Sequence, residues 1–488
     1  MSLSSLSRDW SARPTREMLA GAVATFALIP EVIAFSFAAG VDPQVGLYAS
    51  FVIGIVIAFT GGRPAMISAA AGSVALVAAP LVHSHGLPYL LAAGLLAGLI
   101  QIVFGLLRLG VLMRFVSKSV RTGFVNALAI LIFSAQLPQI LGAGWMTYAV
   151  LAAGLAVIYI VPRVTTAVPS PLICIVVLTA ASMMLHLPVK TVADLGQLPG
   201  SLPTFAWPSV PLTFETLGII AGPAIAIAMV GLLESLMTAT VVDDLTNSPS
   251  SKNREATGLG IANAAASLFG GIAGCGMIGQ TVSNIKYGGR GRLSTLFAGA
   301  FLLILMVLLK PWVSQVPVAA LVAIMVMVSI DTFDWSSVRA VVVHPKMSSA
   351  VMLATVAVTV ATDNLALGVA VGVLLSGVFF TFKVAKLLNV ALEPSSDDTR
   401  LSYRVSGQVF FASADIFVDA FDVVEAQGKF VSIDVSKAHF WDITAVAALE
   451  RVVARFKAQG ASVEVHGMNE ASATLVERLD RPATGTAG

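Results

Sequence analysis

The feature that most constrains this chain is a series of long apolar stretches that contain no charged side chain. A helix needs about 20 mostly apolar residues to cross the hydrocarbon core of a bilayer. In lipid, an unpaired backbone N–H or C=O group costs several kcal/mol, which favours helices whose hydrogen bonds are internal. The sequence therefore predicts a helical protein that crosses a membrane many times. Nine predominantly apolar runs lack Asp, Glu, Lys and Arg, at residues 43–62, 64–107, 122–162, 164–189, 216–233, 256–285, 293–309, 311–330 and 364–382.

Charge divides the chain into parts that meet different solvents. Hydrophobic residues make up 57% of the 488 residues and charged residues only 11%, against about 25% charged residues in soluble domains. This excludes an ordinary soluble enzyme, a disordered protein and a fibrous one. Residues 1–394 carry 20 basic and 14 acidic side chains, whereas residues 395–488 carry 9 and 13. We predict a cytoplasmic leader at 1–18, a transmembrane domain at 19–394 and a water-exposed domain at 395–488.

Several runs are too long for one crossing and divide at clusters of glycine and proline or, in the run 64–107, at a predicted turn over His83–Gly86. We predict fourteen membrane segments, of which twelve are full spans and two are short. An even number places both termini on one side, and the positive-inside rule makes that side the cytoplasm, because basic residues concentrate in Arg8–Arg16, Arg108–Arg121 and Lys286–Arg292. The expected location is the cytoplasmic (inner) membrane. The segments begin near Leu19, Val45, Ala71, Leu90, Thr122, Trp145, Leu172, Leu217, Ala256, Met277, Leu293, Val316, Ser348 and Leu365.

Two irregular segments occupy similar places in the two halves of this pattern. Gly62–Ala78 and Gly270–Gly289 each begin with an extended or glycine-rich stretch and continue as a short helix of small residues. Short, interrupted segments at matching places indicate a transporter site built on a repeat. Seven segments per half is an odd number, so the two repeats are predicted to be inverted relative to each other.

A helix that begins at mid-membrane leaves its first backbone N–H groups without partners. Two such helix starts that face each other create an electropositive pocket suited to an anion. Small side chains at the two starts would let a ligand approach the backbone, and Ser73, Gln280 and Thr281 add hydrogen-bonding groups. The alternative is close helix packing by small residues, but the matched pair favours a site. The small residues are Ala69, Ala70, Ala71, Gly72, Ser73, Gly276 and Gly279.

Two acidic residues lie deep within predicted spans. Glu31 is about a dozen residues into the first span and Glu234 is about as deep in the eighth, and these two spans would be repeat partners. A carboxyl group at membrane depth is functional by default, and it can exchange a proton. Thr238 follows Glu234 by one turn on the same face. The alternative is an acid that fixes helix packing, and this alternative weighs more for Glu31, which adjoins Pro30.

Acids at the predicted span ends, by contrast, are expected to face water. They are Asp331, Asp334 and Asp363.

After residue 400 the sequence alternates strands and helices, which predicts a small α/β domain. The sequence contains no catalytic constellation: His439 and His466 are isolated, and Cys174 and Cys275 lie in apolar stretches without a metal-binding or disulfide pattern. We therefore expect no enzymatic activity, no cofactor and no metal. The predicted strands are LSYRV and QVFF around Gly407, Phe430–Val435 and SVEVH, and the predicted helices are Ser413–Ala426, Asp442–Gln459 and Asn469–Leu479.

Over almost its whole length, the sequence resembles the SulP anion transporters, in which a fourteen-segment membrane domain precedes a C-terminal STAS domain. DPQVGLYASF at 42–51 looks like the signature after the family's first helix. The stretches at 232–274 and 284–294 are similar to the eighth to tenth segments. VFFASADIF and IDVSKAHFWDITAVAALE look like STAS sequences.

The resemblance implies substrate binding between the short third and tenth helices. Family members move sulfate, bicarbonate, chloride, nitrate or dicarboxylates by proton symport, sodium symport or exchange. Their coupling acid is in the eighth segment, here Glu234 with Thr238, and Glu in place of Asp leans toward protons over sodium. Glu31 replaces a frequent Gln, and neutral Gln280 stands where some members carry a basic residue. The implied binding positions are Ala71, Gly72, Ser73, Gly276, Met277, Ile278, Gly279 and Gln280.

The sequence and the resemblance together predict proton-coupled symport of a small inorganic or organic anion by an elevator-type mechanism. Dicarboxylate, sulfate and bicarbonate are the expected substrate classes. A homodimer in the lipid bilayer is expected, without nucleic acid. The alternatives are an uncoupled exchanger or channel, a nucleobase transporter of similar architecture, and a membrane-anchored STAS signalling module. Thr444 stands where STAS proteins of sigma-factor signalling carry a phosphorylated residue.

Overall fold

The described part of the chain forms two compact units that divide between Val373 and Leu374. Most of the predicted leader and the first residues of the predicted soluble domain lie outside the described residues. The computed structural model describes residue 10 and residues 13–164, 169–194, 196–343, 345–394 and 398–480.

The first unit is almost entirely helical. Its first half contains α1 Pro14–Ala38, α2 Pro43–Thr60, β1 Ser68–Ala69, α3 Gly72–His85, α4 Leu87–Leu106, α5 Lys118–Ser134, α6 Leu137–Ile140, α7 Trp145–Val164 and α8 Ser170–Leu185. Its second half contains α9 Phe214–Thr246, α10 Lys252–Leu268, β2 Cys275–Gly276, α11 Ile278–Lys286, α12 Arg292–Val313, α13 Val318–Thr332, α14 Ser336–Val343, α15 Lys346–Thr362 and α16 Leu365–Ala385, the last of which crosses the unit boundary.

A helix begins within five residues of every predicted span start. Among the described residues, nine helical segments are long and apolar enough to cross a membrane, and Ser170–Leu185 and Lys346–Thr362 are shorter apolar helices. The number of fourteen membrane segments therefore stays a prediction. One boundary was wrong: the predicted turn at residues 83–86 is helical through His85, and the helix ends only at Gly86, where φ is 80°.

The helices of the first unit fall into two packing groups. In the first helix group (α1–α4 and α9–α12), α10 packs on α2 and α4, and α12 packs on α1 and α2. Close packing depends on small residues, since a side chain on Gly98 or Gly260 would meet the backbone of the other helix. In the second helix group (α5, α7, α8 and α13–α15), α13 packs on α5 and α7, and α15 packs on α5.

The second unit is an α/β domain with one four-stranded sheet in the order β3-β4-β5-β6. Strand β3 is antiparallel to β4, and the pairs β4–β5 and β5–β6 are parallel. Its buried core includes Tyr403, Phe417, Ile433 and Phe456. The elements are β3 Asn389–Glu393, β4 Arg400–Val409, α17 Ala414–Asp419, β5 Phe430–Phe440, α18 Ile443–Ala458, β6 Ser462–His466 and α19 Glu470–Asp480.

Several elements of this unit differ from their predictions. Strand β3 precedes the predicted start of the domain at residue 395. Strand β4 is continuous through Gly407, where φ is 106° and the pairing with β5 has just shifted register. The predicted helix Ser413–Ala426 ends at Asp419, because the Asp422 carboxylate accepts hydrogen bonds from the Val424 and Glu425 N–H groups and forms a turn.

Candidate functional site

The two irregular segments meet as a short antiparallel strand pair inside the first helix group. Ser68 lies opposite Gly276 and Ala69 lies opposite Cys275. The Met277 N–H group extends this pairing with a 2.9 Å hydrogen bond to the Ile67 carbonyl oxygen. Each strand leads directly into a helix, β1 into α3 and β2 into α11. The strand pair therefore brings together two helix starts that are about 200 residues apart in the sequence.

Buried side chains of neighbouring helices satisfy the backbone of these strands. The Ala70 N–H group donates to Ser50 Oγ at 3.2 Å, and the Ile67 N–H group donates to Thr281 Oγ1 at 2.9 Å. On the other strand, the Gly276 N–H group donates to Ser235 Oγ at 2.8 Å. Non-helical backbone is stable at membrane depth only when its polar groups are paired or line a cavity. These hydrogen bonds fix the strand pair to α2, α9 and α11.

The approach of the two strands requires a glycine at position 274. A Cβ atom there would overlap the carbonyl oxygen of Ala69. The Asn263 side chain holds the same residue from the other side, because its Oδ1 accepts from the Gly274 N–H group at 2.8 Å and its Nδ2 donates to the Gly274 carbonyl oxygen at 3.1 Å. The glycine cluster predicted from the sequence therefore has a packing reason.

The starts of α3 and α11 have no capping side chain. Ala71 and Met277 occupy the N-cap positions in extended conformation, and neither provides a side-chain hydrogen bond to its helix. Three other helices of the unit do have such a cap: Ser117, Thr213 and Ser251 each accept a hydrogen bond from a first-turn N–H group. Uncapped first-turn N–H groups and the positive end of the helix dipole make each start a place where an anion is stabilised.

Both helix starts line one cavity of about 350 Å³ between the two helix groups. The first helix group contributes Glu31, Phe35, Ala71, Gly72, Ser73, Glu234, Met277, Ile278, Gly279 and Gln280. The second helix group contributes Phe124, Val125, Leu128 and Ile132 from α5, and Met327, Val328, Asp331 and Thr332 from α13.

Each deep acid lies beside one of the two helix starts. The Ser73 hydroxyl donates a hydrogen bond to Oε2 of Glu234, and the Cys275 Sγ atom lies 3.7 Å from the same hydroxyl. At the other start, the Glu31 carboxyl group lies near the Gln280 side chain, and both line the cavity. The acid of α9 thus pairs with the start of α3, and the acid of α1 pairs with the start of α11.

Two predicted site residues lie behind the cavity wall. The Thr238 hydroxyl is buried and donates to the carbonyl oxygens of Glu234 and Gly276, both at 2.8 Å. Gly276 is held in the strand pair and does not line the cavity. Thr238 therefore fastens β2 to α9 beside the coupling candidate, and Gly276 provides the backbone that Thr238 contacts.

The second wall of the cavity was not anticipated from the sequence. Its residues on α5 and α13 are mostly apolar, and an apolar residue that faces a cavity has the same pattern as one that faces lipid. Asp331 was expected to face water at a span end; it is exposed and also lines the cavity. The adjacent polar pair Asp331 and Thr332 was the one available indication of this wall.

The side chains that line the cavity, over the part of the chain that the structure describes, include acidic groups and no basic ones. Among its described lining residues there are three carboxyl side chains and no lysine, arginine or histidine. Among the groups that line the cavity, positive potential therefore comes from the two helix starts. The carboxyl groups are those of Glu31, Glu234 and Asp331.

Two further buried acids, which the sequence patterns did not single out, hold the linkers of the irregular segments. Glu255 of α10 accepts hydrogen bonds from the Gly62 and Arg63 N–H groups at 2.7 and 3.0 Å. Glu17 of α1 accepts from the Arg290 and Gly291 N–H groups at 2.7 and 3.0 Å. Both acids are buried. Each linker is thus fixed by a carboxylate that satisfies consecutive backbone donors.

Comparison with protein families identifies two matches along the chain. The model of the sulfate permease family matches residues 15–151 and 144–355. The STAS domain model matches residues 392–481. The putative sulfate transporter YbaR of Bacillus subtilis (strain 168) is 52% identical over 475 residues, which cover 97% of this chain and 98% of YbaR.

Two solved structures are similar in fold. The transmembrane domain of a cyanobacterium bicarbonate transporter, BicA, has a TM-score of 0.65 at 26% identity and covers 75% of this chain and 98% of its own. The murine Slc26a9 anion transporter in the inward-facing state has a TM-score of 0.82 at 17% identity, and the match covers 96% of this chain and 88% of the Slc26a9 chain. This second similarity concerns the fold alone. The matches confirm the predicted fold class, a helical membrane domain followed by a STAS domain.

Proposed function

The chain belongs to the sulfate permease family, and we propose from this membership that it moves a small anion across the membrane together with a proton. Multi-pass membrane insertion and anion transport are properties of the family to which it belongs. The names of its relatives point to sulfate and bicarbonate as the first substrates to examine.

The observation that carries this proposal is the hydrogen bond between Ser73 and Glu234. Ser73 is in the first turn of α3, where an anion would meet backbone N–H groups, and Glu234 lines the same cavity. A carboxylate and an anion repel each other at this range. Protonation of Glu234 removes that repulsion, so the anion and the proton favour each other's binding. Such reciprocal coupling between two ligands is the thermodynamic requirement for symport.

Glu31 extends the same logic to the second helix start. Its carboxyl group lies beside Gln280, in the first turn of α11, and lines the cavity. An anion between the helix starts therefore meets one acid on each side. We assign Glu234 the coupling role and Glu31 a supporting one, because only Glu234 accepts a hydrogen bond from a hydroxyl at a helix start.

The placement of the cavity supports an elevator cycle. The acids and both helix starts belong to the first helix group, whereas α5 and α13 of the second helix group form the opposite wall. Movement of the first group against the second would carry the complete site, with its anion and proton, across the membrane. The apolar residues of α5 and α13 offer few polar contacts that such a movement would break.

Orientation and assembly complete the proposal. The basic stretches around Arg108–Arg121 and Lys286–Arg292 favour cytoplasmic termini in a cytoplasmic membrane. We assign the STAS domain a regulatory or dimerising role within a homodimer. A signalling module alone would need only one or two spans, so a bundle with two broken helices favours transport over anchoring.

The experiment that tests the proposal is uptake by the purified full-length protein in liposomes. Labelled sulfate, bicarbonate, chloride and fumarate are offered separately, with a proton gradient or a sodium gradient imposed. We expect accumulation against the anion gradient when the outside is acidic, and no accumulation with sodium alone. Flux that only follows the anion's own gradient would indicate a channel or an uncoupled exchanger. Absence of flux for every anion would contradict anion transport.

A further inference from the structure

The charge of the transported anion can be inferred from the cavity, an inference that rests on the proposed function. Three carboxyl side chains and no cationic side chain line the cavity among the residues that the structure describes. Gln280, at the start of α11, is neutral. The anion is therefore held by partial charges and hydrogen bonds only.

The positive charge available from the helix starts is small. A helix N-terminus acts as roughly +0.5 of an elementary charge. The starts of α3 and α11, both without a capping side chain, together supply about +1. This balances one negative charge and leaves a dianion with about one charge uncompensated.

The walls of the cavity increase the difference between a monovalent and a divalent anion. Ten of the lining residues are aromatic or aliphatic, namely Phe35, Ala71, Phe124, Val125, Leu128, Ile132, Met277, Ile278, Met327 and Val328. Such walls make few favourable polar contacts, so they compensate little of the hydration free energy that an ion loses when it enters the cavity. Because the hydration free energy rises with the square of the charge, a dianion of similar size loses about four times as much.

Protonation of the acids does not reverse this balance. If Glu31, Glu234 and Asp331 are all neutral, the helix starts still provide only about +1. If any of the three is ionised, the additional negative charge repels a dianion twice as strongly as a monovalent anion. Every protonation state therefore disfavours the dianion.

We propose that this cavity selects a monovalent anion, of the class of bicarbonate, nitrate or chloride, over the sulfate dianion. Gln280 is the specificity-determining position. It lies in the first turn of α11 and lines the cavity, so a basic residue at this position would bring a full positive charge to the anion. An arginine there, in a background in which Glu31→Gln removes the carboxyl group that would pair with it, would raise the positive charge of the site from about +1 to about +2, which matches a dianion.

The test compares uptake of labelled bicarbonate, nitrate and sulfate by the full-length protein in liposomes at equal concentrations and equal proton gradients. We expect kcat/KM for the monovalent anions to exceed that for sulfate by at least about tenfold, which corresponds to about 1.4 kcal/mol. Gln280→Arg combined with Glu31→Gln should shift the ratio toward sulfate by about tenfold or more relative to Glu31→Gln alone. Gln280→Met, a neutral side chain of similar length, should lower uptake of all anions without changing the ratio.

Each outcome decides the proposal. Sulfate uptake equal to or faster than that of the monovalent anions would overturn the selectivity while leaving anion transport intact. A ratio that is the same in Gln280→Arg with Glu31→Gln as in Glu31→Gln alone, in proteins with equal thermal unfolding midpoints, would overturn the role of Gln280. Uptake of no anion would refute the proposed function, and the selectivity would fall with it.

Discussion

The hydroxyl group of Ser73 donates a hydrogen bond to the carboxyl group of Glu234, although the two residues are 161 positions apart in the chain. This contact joins the first turn of the half-helix α3 to the middle of the long helix α9. In the proposed mechanism, it places the group that exchanges a proton beside the helix start that holds the anion.

Glu234→Gln should abolish accumulation driven by a proton gradient while the protein still folds. The amide keeps the size of the side chain and can still accept from Ser73, but it cannot exchange a proton. Accumulation of labelled anion in liposomes is measured with the outside acidic. Asp363→Asn is the matched control, because Asp363 is exposed at the C-terminus of α15 with φ 49°, which asparagine tolerates. Unchanged dependence on the proton gradient in Glu234→Gln would exclude Glu234 from coupling.

Ser73→Ala should lower kcat/KM for the anion by about tenfold or more, because a hydrogen bond to a charged group is worth about 1.5–3 kcal/mol. The substitution leaves Glu234 without its hydroxyl donor and removes a polar group from the start of α3. Ser84→Ala in the same helix serves as the control, since its hydroxyl is exposed and donates only within its own helix. Initial uptake rates over a range of anion concentrations measure the effect, and equal rates for both variants would contradict it.

Glu255→Ala should destabilise the membrane domain by about 2–6 kcal/mol, since two buried N–H groups lose their acceptor at about 1–3 kcal/mol each. These are the N–H groups of Gly62 and Arg63, in the linker that leads to β1. Glu255→Gln keeps one acceptor oxygen, so it should lower the free energy of unfolding by less than Glu255→Ala does. Thermal unfolding of the detergent-solubilised protein is followed, with Glu215→Ala at the exposed first turn of α9 as the control. A midpoint unchanged in Glu255→Ala would show that the linker is held by other contacts.

Protonation of Asp434 should destabilise the STAS domain in acid. The backbone N–H group of Ser436, followed by its hydroxyl, holds the pKa of the Asp434 carboxyl below its ordinary value. The pKa of Asp434 is lower in the folded state than in the unfolded state. The stabilisation that its carboxylate provides is therefore complete above the unfolded-state pKa of about 3.9, and it is lost as the pH falls through the folded-state pKa.

The measurement for Asp434 is amide hydrogen exchange of β5 in the full-length protein, compared with Asp434→Asn at several pH values. The wild type should be better protected near pH 6, and the difference should disappear below the folded pKa. Asp398→Asn is the control, because Asp398 lies in an exposed turn before β4. A difference that persists undiminished in acid would contradict the assignment to the carboxylate charge.

Helix positions in the membrane unit were largely predictable from the sequence. A lipid-facing helix must be apolar over a fixed length, and glycine or proline marks its ends, so the pattern alone located helix starts to within a few residues. In the STAS domain the same reasoning found α18, whose N-cap Asp442 accepts from the Ala445 N–H group. For α17 the predicted end at Ala426 was wrong, and the helix ends at Asp419. The apolar spacing suits a longer helix, but the Asp422 side chain forms a turn there instead.

The sequence by itself determined that this chain crosses a membrane many times, that two of its helices are interrupted, and that Glu31 and Glu234 lie well inside long apolar helices. These properties depend on local composition and on hydrophobic length, which each segment carries alone. Only the tertiary structure decided that Ser73 meets Glu234, that Gln280 lies near Glu31, and that α5 and α13 form the opposite wall. Such pairings depend on which helix faces pack together. The sequence pattern of an apolar face is the same whether that face contacts lipid, protein or a cavity.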